Sequence, residues 1–139
     1  MAFLIHAVEG GRVPSWEYHP CSKMTPKVGM ALVKTSGNLT AAAGANAPTY
    51  ISMVEKSGEV TAGDIIPVIR VLDGIIFETT FSAAATAVTT GSHVTLSADG
   101  MQVTGTTTGG VAEVVSMDGT AVGDRVRVRF PGVTAAATE

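Results

Sequence analysis

The sequence predicts an all-β fold, a small β-barrel or β-sandwich built from antiparallel hairpins, with an extended N-terminal arm. The chain is rich in Thr, Val, Ala and Gly, and only 15% of its residues are charged. Thr and Val favour strands, and Gly favours turns. Short segments of alternating apolar and polar residues are bounded by turn residues, as strands are. At 139 residues the chain fits one domain.

The strongest hairpin signal lies in residues 60–80, around which we expect the rest of the chain to be organised. Asp73 and Gly74 separate two runs rich in β-branched residues. An Asp-Gly pair in this setting favours a type I′ turn, whose two central residues both need positive φ. This turn would place Leu72 opposite Ile75. Because both faces of the two runs are apolar, the hairpin is expected in the core.

A second Asp-Gly turn, at Asp99 and Gly100, predicts a hairpin that pairs Leu96 with Val103. Its residues alternate between apolar and polar, so one face should pack on the core and the other should meet water. With the remaining segments, the chain is expected to have about eight or nine strands. Those segments are residues 2–8, 28–35, 49–56, 111–117 and 125–130.

The chain divides into three parts by composition. Residues 1–27 are predicted to be an N-terminal strand and a Pro-rich arm, and residues 28–133 the β domain. Residues 134–139 are small and polar, with nothing to pack, and are predicted to be a frayed tail.

The arm, residues 9–27, contains three prolines and two aromatic residues, Trp16 and Tyr18. Prolines this frequent oppose both a helix and a central strand. Trp and Tyr often anchor protein interfaces, but they also often pin a loop onto its own domain. Both interpretations of Trp16 and Tyr18 stay open, and we treat them as candidate partner-binding residues.

The last predicted strand carries Arg125, Arg127 and Arg129 at alternate positions. Period two places all three on one face. One interpretation is a basic stripe that binds an acidic partner, since the guanidinium group binds carboxylates through two hydrogen bonds. The interpretation we favour is a solvated face whose arginines pair with carboxylates on neighbouring strands. The three arginines are kept as interface candidates.

No catalytic, metal or cofactor site is predicted. His19 and Cys21 lie two residues apart, but a zinc site needs about four ligands in recognisable pairs, and no second pair is present. Nothing in the sequence supplies an oxyanion hole for Cys21. The Gly-rich stretches fit no phosphate-binding template. We therefore expect a protein that is not an enzyme and that needs no cofactor.

Charge and composition also limit the classes of partner and the cellular location that we expect. The net charge of −3 argues against nucleic-acid binding, because such domains are usually basic. No stretch of about 18 apolar residues is present, so no membrane span is expected. The segment at residues 2–8 lacks the basic start of a signal peptide, and the single Cys21 excludes an internal disulfide. These features favour a soluble protein made inside the cell.

Several segments together resemble the small head-decoration, or cement, proteins of tailed bacteriophages. The likeness covers roughly residues 24–130 and consists of Gly-Asp turns, Ala- and Thr-rich strands and a Gly-Gly loop that leads into a strand. The segments that carry it are residues 27–32, 50–55, 61–64, 108–115 and 123–128.

The resemblance implies a structural protein that binds the major capsid protein on the outside of the assembled phage head, with no chemistry of its own. It also implies a homo-oligomer, most often a trimer, located on the virion after synthesis in the host cytoplasm. Extended arms that cross a subunit boundary suit this role, and we hypothesise that residues 9–27 form such an arm. The alternatives are a tail-tube or head–tail joining subunit of a phage and a glycan-binding β module, although seven aromatic residues supply little for a sugar platform.

Overall fold

The structure, a computed structural model, describes residues 2–8 and 13–131. In these residues it contains ten β-strands and no helix long and apolar enough to span a membrane. The strands are β1 (Leu4–Val8), β2 (Glu17–Pro20), β3 (Ala31–Thr35), β4 (Asn38–Ala41), β5 (Tyr50–Ser52), β6 (Ile65–Arg70), β7 (Ile75–Thr80), β8 (His93–Val94), β9 (Ala112–Met117) and β10 (Arg125–Arg129).

The strands form two five-stranded sheets. Sheet 1 has the order β1-β7-β10-β9-β8, and sheet 2 has the order β2-β6-β5-β3-β4. Every pair of neighbouring strands is antiparallel. The predicted all-β antiparallel class is confirmed. The prediction left open a barrel or a sandwich, and the two separate sheets are consistent with a sandwich.

The main hydrophobic core contains buried residues of both sheets, including Ile51 and Ile69 of sheet 2 and Phe77 of sheet 1. Aromatic rings pack at its centre. The Phe130 ring lies 5.8 Å from the Phe3 ring and 5.9 Å from the Phe77 ring, measured between centroids, with the ring planes inclined to each other. Such inclined contacts are favourable for aromatic pairs, and they join the start of the chain to the residue that follows its last strand.

The predicted hairpin around Asp73 and Gly74 is wrong. The Ile75 amide does donate to the Leu72 carbonyl at 3.1 Å, so a turn is present. However, β6 belongs to sheet 2 and β7 to sheet 1, and the turn carries the chain from one sheet to the other. Neither Asp73 nor Gly74 has a positive φ, which a type I′ turn requires.

The two-residue turn with positive φ at both central positions lies elsewhere, between β3 and β4. There Ser36 has φ 53° and Gly37 has φ 85°, and Thr35 pairs with Asn38 across the turn. The sequence patterns described above do not predict this hairpin. The other predicted hairpin is confirmed in its pairing, because Leu96 and Val103 form an antiparallel bridge.

Sheet 2 curls so that its two outer strands approach each other. Cys21, which follows β2, forms a bridge with Leu39 of β4, and the Ser22 amide donates to the Leu39 carbonyl at 2.9 Å. The concave side holds a second hydrophobic cluster. Its fully buried members include Leu32 of β3 and Val68 of β6.

The first part of the chain contributes a strand to each sheet. β1 pairs with β7 and β2 pairs with β6, so both strands of this part are built into the β domain. An extended arm is therefore not confirmed, because Glu17–Pro20 is an edge strand of sheet 2. Residues 9–12 of the proposed arm and the predicted tail at 134–139 lie outside the described residues.

Candidate functional site

Trp16 and Tyr18 lie at the outer strand of sheet 2, where β2 pairs with β6. Tyr18 lies opposite Pro67, and Pro20 lies opposite Ile65. Residues opposite each other in an antiparallel pair share a face of the sheet. Tyr18 therefore projects on the same face as Ile65, and Trp16 lies two positions before Tyr18, at the start of the strand.

This face of sheet 2 continues beyond the area that the main core covers. Ile65 and Ile69 are four positions apart on β6, so their side chains lie on one face. Ile69 is fully buried in the main core, whereas Ile65 is 58% exposed. Tyr18 is 63% exposed and Trp16 54%. We call Trp16, Tyr18 and Ile65 the β2 patch.

The opposite face of β2 is held to the sheet by a network of polar side chains. The Arg70 guanidinium donates from Nε to Glu17 Oε2 and from Nη2 to Glu17 Oε1, both at 3.0 Å. Arg70 Nη2 also lies 3.2 Å from the Tyr50 hydroxyl. His19 Nε2 lies 2.9 Å from Glu17 Oε1, and the His19 ring packs on the Tyr50 ring at 4.7 Å.

The network changes the pKa values of Glu17 and Arg70. The hydrogen bond from Arg70 lowers the pKa of the Glu17 carboxyl, and burial opposes that shift. The hydrogen bond to Glu17 raises the pKa of Arg70. Glu17 therefore stays ionised into acid conditions, and the paired charges fix the backbone that presents Tyr18 and Trp16 to solvent.

A polar groove borders the β2 patch. It is open, has a volume of about 470 Å³, and runs along the loop that precedes β6. Ile65 belongs to both the patch and the groove. Charges of both signs lie along the groove, so it does not select strongly for an anion or a cation. The lining includes Lys56, Glu59, Thr61, Asp64, Ile65 and Ile66.

The three arginines of β10 lie on the outer face of sheet 1, and each has at least one carboxylate neighbour. Arg127 donates from Nε to Glu78 at 3.1 Å and from Nη1 to Asp118 at 2.7 Å. Arg125 is the most exposed of the three, and its Nε lies 3.9 Å from Glu78.

Arg129 is paired in the same way. It binds Asp73, at the crossover between the sheets, and its Nη2 lies 2.7 Å from Glu113 Oε1. The favoured interpretation of a solvated face with carboxylate partners agrees with these contacts. A basic stripe for an acidic partner would have to displace the internal carboxylates first.

His19 and Cys21, the two residues considered above for metal binding or catalysis, both make structural contacts. His19 belongs to the network beneath β2, and Cys21 is fully buried in the second hydrophobic cluster. Burial raises the pKa of the Cys21 thiol, which lowers its reactivity. Among residues 2–8 and 13–131, no group of three His, Cys, Asp or Glu side chains could hold a metal ion.

No protein-family model matches this chain, and no curated protein matches it.

Sequence patterns predict Trp16 and Tyr18 as candidate interface residues but do not predict the contacts that position them. Glu17 and His19 alternate with Tyr18, and this alternation was a visible signal that the segment is a strand. Arg70 is 53 residues away from Glu17, so no local pattern could have paired them. The apolar pattern of residues 60–80 predicts that Ile65 lies in a core hairpin, because the sequence does not show where the main core ends.

Proposed function

We propose that this protein is a capsid decoration protein, a structural virion component that binds the outside of an assembled phage head and stabilises it. The observation that supports this proposal is the distribution of exposed apolar side chains. Among the described residues, seven of the nine exposed large hydrophobic residues belong to the first 28 residues or to Ile65, which pairs with β2. The seven are Leu4, Ile5, Val13, Trp16, Tyr18, Val28 and Ile65.

Exposed apolar residues are normal when they are scattered, but clusters of them mark interaction surfaces. Three of them, Trp16, Tyr18 and Ile65, lie on β2 or next to it on sheet 2, and they include the only tryptophan. Exposed Trp and Tyr side chains are frequent anchors of interfaces, because they bury a large area at little entropic cost. The β2 patch is therefore the surface we assign to the capsid protein.

Such a surface stabilises a shell by mass action. A protein that binds the assembled shell, and not the free subunits, shifts the equilibrium towards the shell by RT ln(1 + [L]/Kd) at each site. This function requires a rigid surface and no catalysis. The network of Glu17, Arg70 and Tyr50 beneath β2 provides the rigidity.

Co-sedimentation tests the proposal. The purified protein is mixed with mature empty shells assembled from the capsid protein that is encoded beside it. We expect saturable binding at a fixed number of copies per capsid subunit. Trp16→Ala combined with Tyr18→Ala should weaken binding by about tenfold or more. Val122→Ala is the matched control, since Val122 is exposed and lies outside sheet 2.

Point variants are preferable to deletion of residues 9–27, because the deletion would remove β2 from sheet 2. Shell binding that the double variant leaves unchanged would overturn the assignment of the β2 patch. If the protein binds no shell and forms rings or tubes alone, a tail-tube or head–tail joining subunit replaces the proposal. If it neither binds nor assembles, the decoration role is excluded and a glycan screen follows.

A further inference from the structure

The two sheets have four edges in the described part of the chain, and three of them are protected. β8, at one edge of sheet 1, is only two residues long. The edges of sheet 2 are β2 and β4, which approach each other at the bridge between Cys21 and Leu39. Short edges and covered edges are common ways to prevent strands of different molecules from pairing.

The fourth edge is β1; just before it the Phe3 amide donates to the Gly29 carbonyl, but the strand itself lacks most of these protections. It is five residues long and contains no proline and no Asp, Glu, Lys or Arg. Its apolar side chains are exposed on both faces. Leu4 lies opposite Glu78 on the outer face and is 44% exposed, and Ile5 lies opposite Phe77 at the margin of the main core and is 36% exposed.

One protective feature is present on β1. The register with β7 shifts between Ile5 and Ala7, so His6 occupies a β-bulge. The bulge places His6 Nδ1 3.6 Å from Glu78 Oε1 on the outer face. A bulge bends an edge and shortens its regular part. Pairing at this edge is therefore expected to centre on Leu4 and Ile5 and to be weak.

We propose that β1 pairs antiparallel with β1 of a second copy of this chain. An occupant of this edge must be an extended strand, because the edge offers backbone N–H and C=O groups. It must also tolerate apolar neighbours on both faces and bring no charge next to them. β1 itself meets these conditions, and two copies meet at neutral pH without opposing any Lys, Arg, Asp or Glu.

The proposed contact is isologous, with the same strand used by both copies, so it produces a dimer with two-fold symmetry. It joins the two copies of sheet 1 into one ten-stranded sheet. The resemblance to decoration proteins implies a trimer, so the measured stoichiometry separates the two expectations. Pairing through β1 does not depend on shell binding, because it is expected in the purified protein alone.

Sedimentation velocity over a wide range of protein concentration tests the pairing. The wild-type protein should pass from monomer to dimer as its concentration rises. Leu4→Lys places a charge on the edge and should raise the dimer dissociation constant at least tenfold. Val115→Lys is the matched control, because Val115 is 38% exposed and lies on β9 of the same sheet, away from this edge. The control should leave the dissociation constant unchanged.

Amide hydrogen exchange on the wild-type protein provides a second readout that needs no variant. Amides of β1 should gain protection at high concentration, whereas amides of β8, the other edge of sheet 1, should not. A monomer at every concentration would overturn the pairing, and so would a trimer. Equal effects of Leu4→Lys and Val115→Lys would also overturn it, as would unchanged exchange in β1.

Discussion

The Arg70 guanidinium and the Glu17 carboxylate are joined by two hydrogen bonds of 3.0 Å, one to each carboxylate oxygen. This pair links β6, an interior strand of sheet 2, to β2, its outer strand. Both side chains are mostly shielded from solvent. Two parallel hydrogen bonds fix orientation better than a single ion pair does, so the pair holds the strand that carries Tyr18.

Glu17→Gln should loosen β2 without unfolding the domain. The amide keeps the shape of the carboxylate but loses its charge, and we expect a loss of about 1 kcal/mol in the free energy of unfolding. Hydrogen exchange should rise in β2 more than in β5. Glu59→Gln is the control, because Glu59 and Lys23 form an exposed pair at 3.8 Å that should contribute almost nothing. Equal effects of the two substitutions would contradict this role of Glu17.

The pair of Glu17 and Arg70 should make the free energy of unfolding depend on pH. The folded-state pKa of Glu17 lies below its usual value of 4.5, chiefly because of the hydrogen bond from Arg70. Its contribution to stability is therefore fully present above pH 4.5 and is lost as the pH falls through the lower folded pKa. Unfolding free energies of the wild type and Glu17→Gln should converge in acid. If the difference in unfolding free energy between the wild type and Glu17→Gln stays constant from neutral pH to below pH 4.5, the ionised Glu17 carboxylate does not stabilise the fold in this way.

Arg127 should contribute more to stability than Arg125, although the two lie on the same face of β10. Arg127 is mostly shielded and contacts both Glu78 and Asp118, whereas Arg125 is largely exposed and lies 3.9 Å from Glu78. We expect Arg127→Gln to cost about 1–2 kcal/mol, since it leaves a mostly buried Glu78 poorly paired. Arg125→Gln should change little. Chemical denaturation of both variants measures the difference, and the reverse order would contradict it.

Gly29→Ala should be among the most destabilising small substitutions in this chain. Gly29 has φ +80°, and a Cβ there would lie 2.5 Å from the Ala2 Cβ and 2.8 Å from the Phe3 carbonyl oxygen. The Phe3 amide also donates to the Gly29 carbonyl at 2.9 Å. The combined strain and clash should cost about 3 kcal/mol.

Gly37→Ala is the control for this substitution. Gly37 has a similar φ of +85°, but a Cβ there would meet nothing within 4 Å. It should therefore cost only the backbone strain, about 1 kcal/mol. Thermal unfolding of both variants measures the difference between them, which reports the close contact with Phe3. Similar melting temperatures would show that this contact is not important.

The sequence predicted the class of the fold better than it predicted which strands pair with each other. Alternation and turn residues are local, so the β class and the bridge between Leu96 and Val103 were found. The turn at Asp73 is also predicted correctly. However, a turn between two apolar segments has the same local sequence pattern whether the two segments pair with each other or enter different sheets. Period two correctly placed Arg127 and Arg129 on one face. Their partners Glu78 and Glu113 come from other strands, and such pairings follow from topology rather than from local pattern.

The separation of β6 from β7 into different sheets has a consequence for folding. β1 pairs with β7 and β2 pairs with β6, so the first two strands pair only with segments about 50 to 70 residues later. Contacts so distant in sequence form slowly, because a long loop must close first. During synthesis the ribosome releases Leu4–Pro20 long before Ile65–Thr80. Until then the nascent chain carries two strands with exposed apolar residues and no partner, and they are the segments on which we expect chaperones to act.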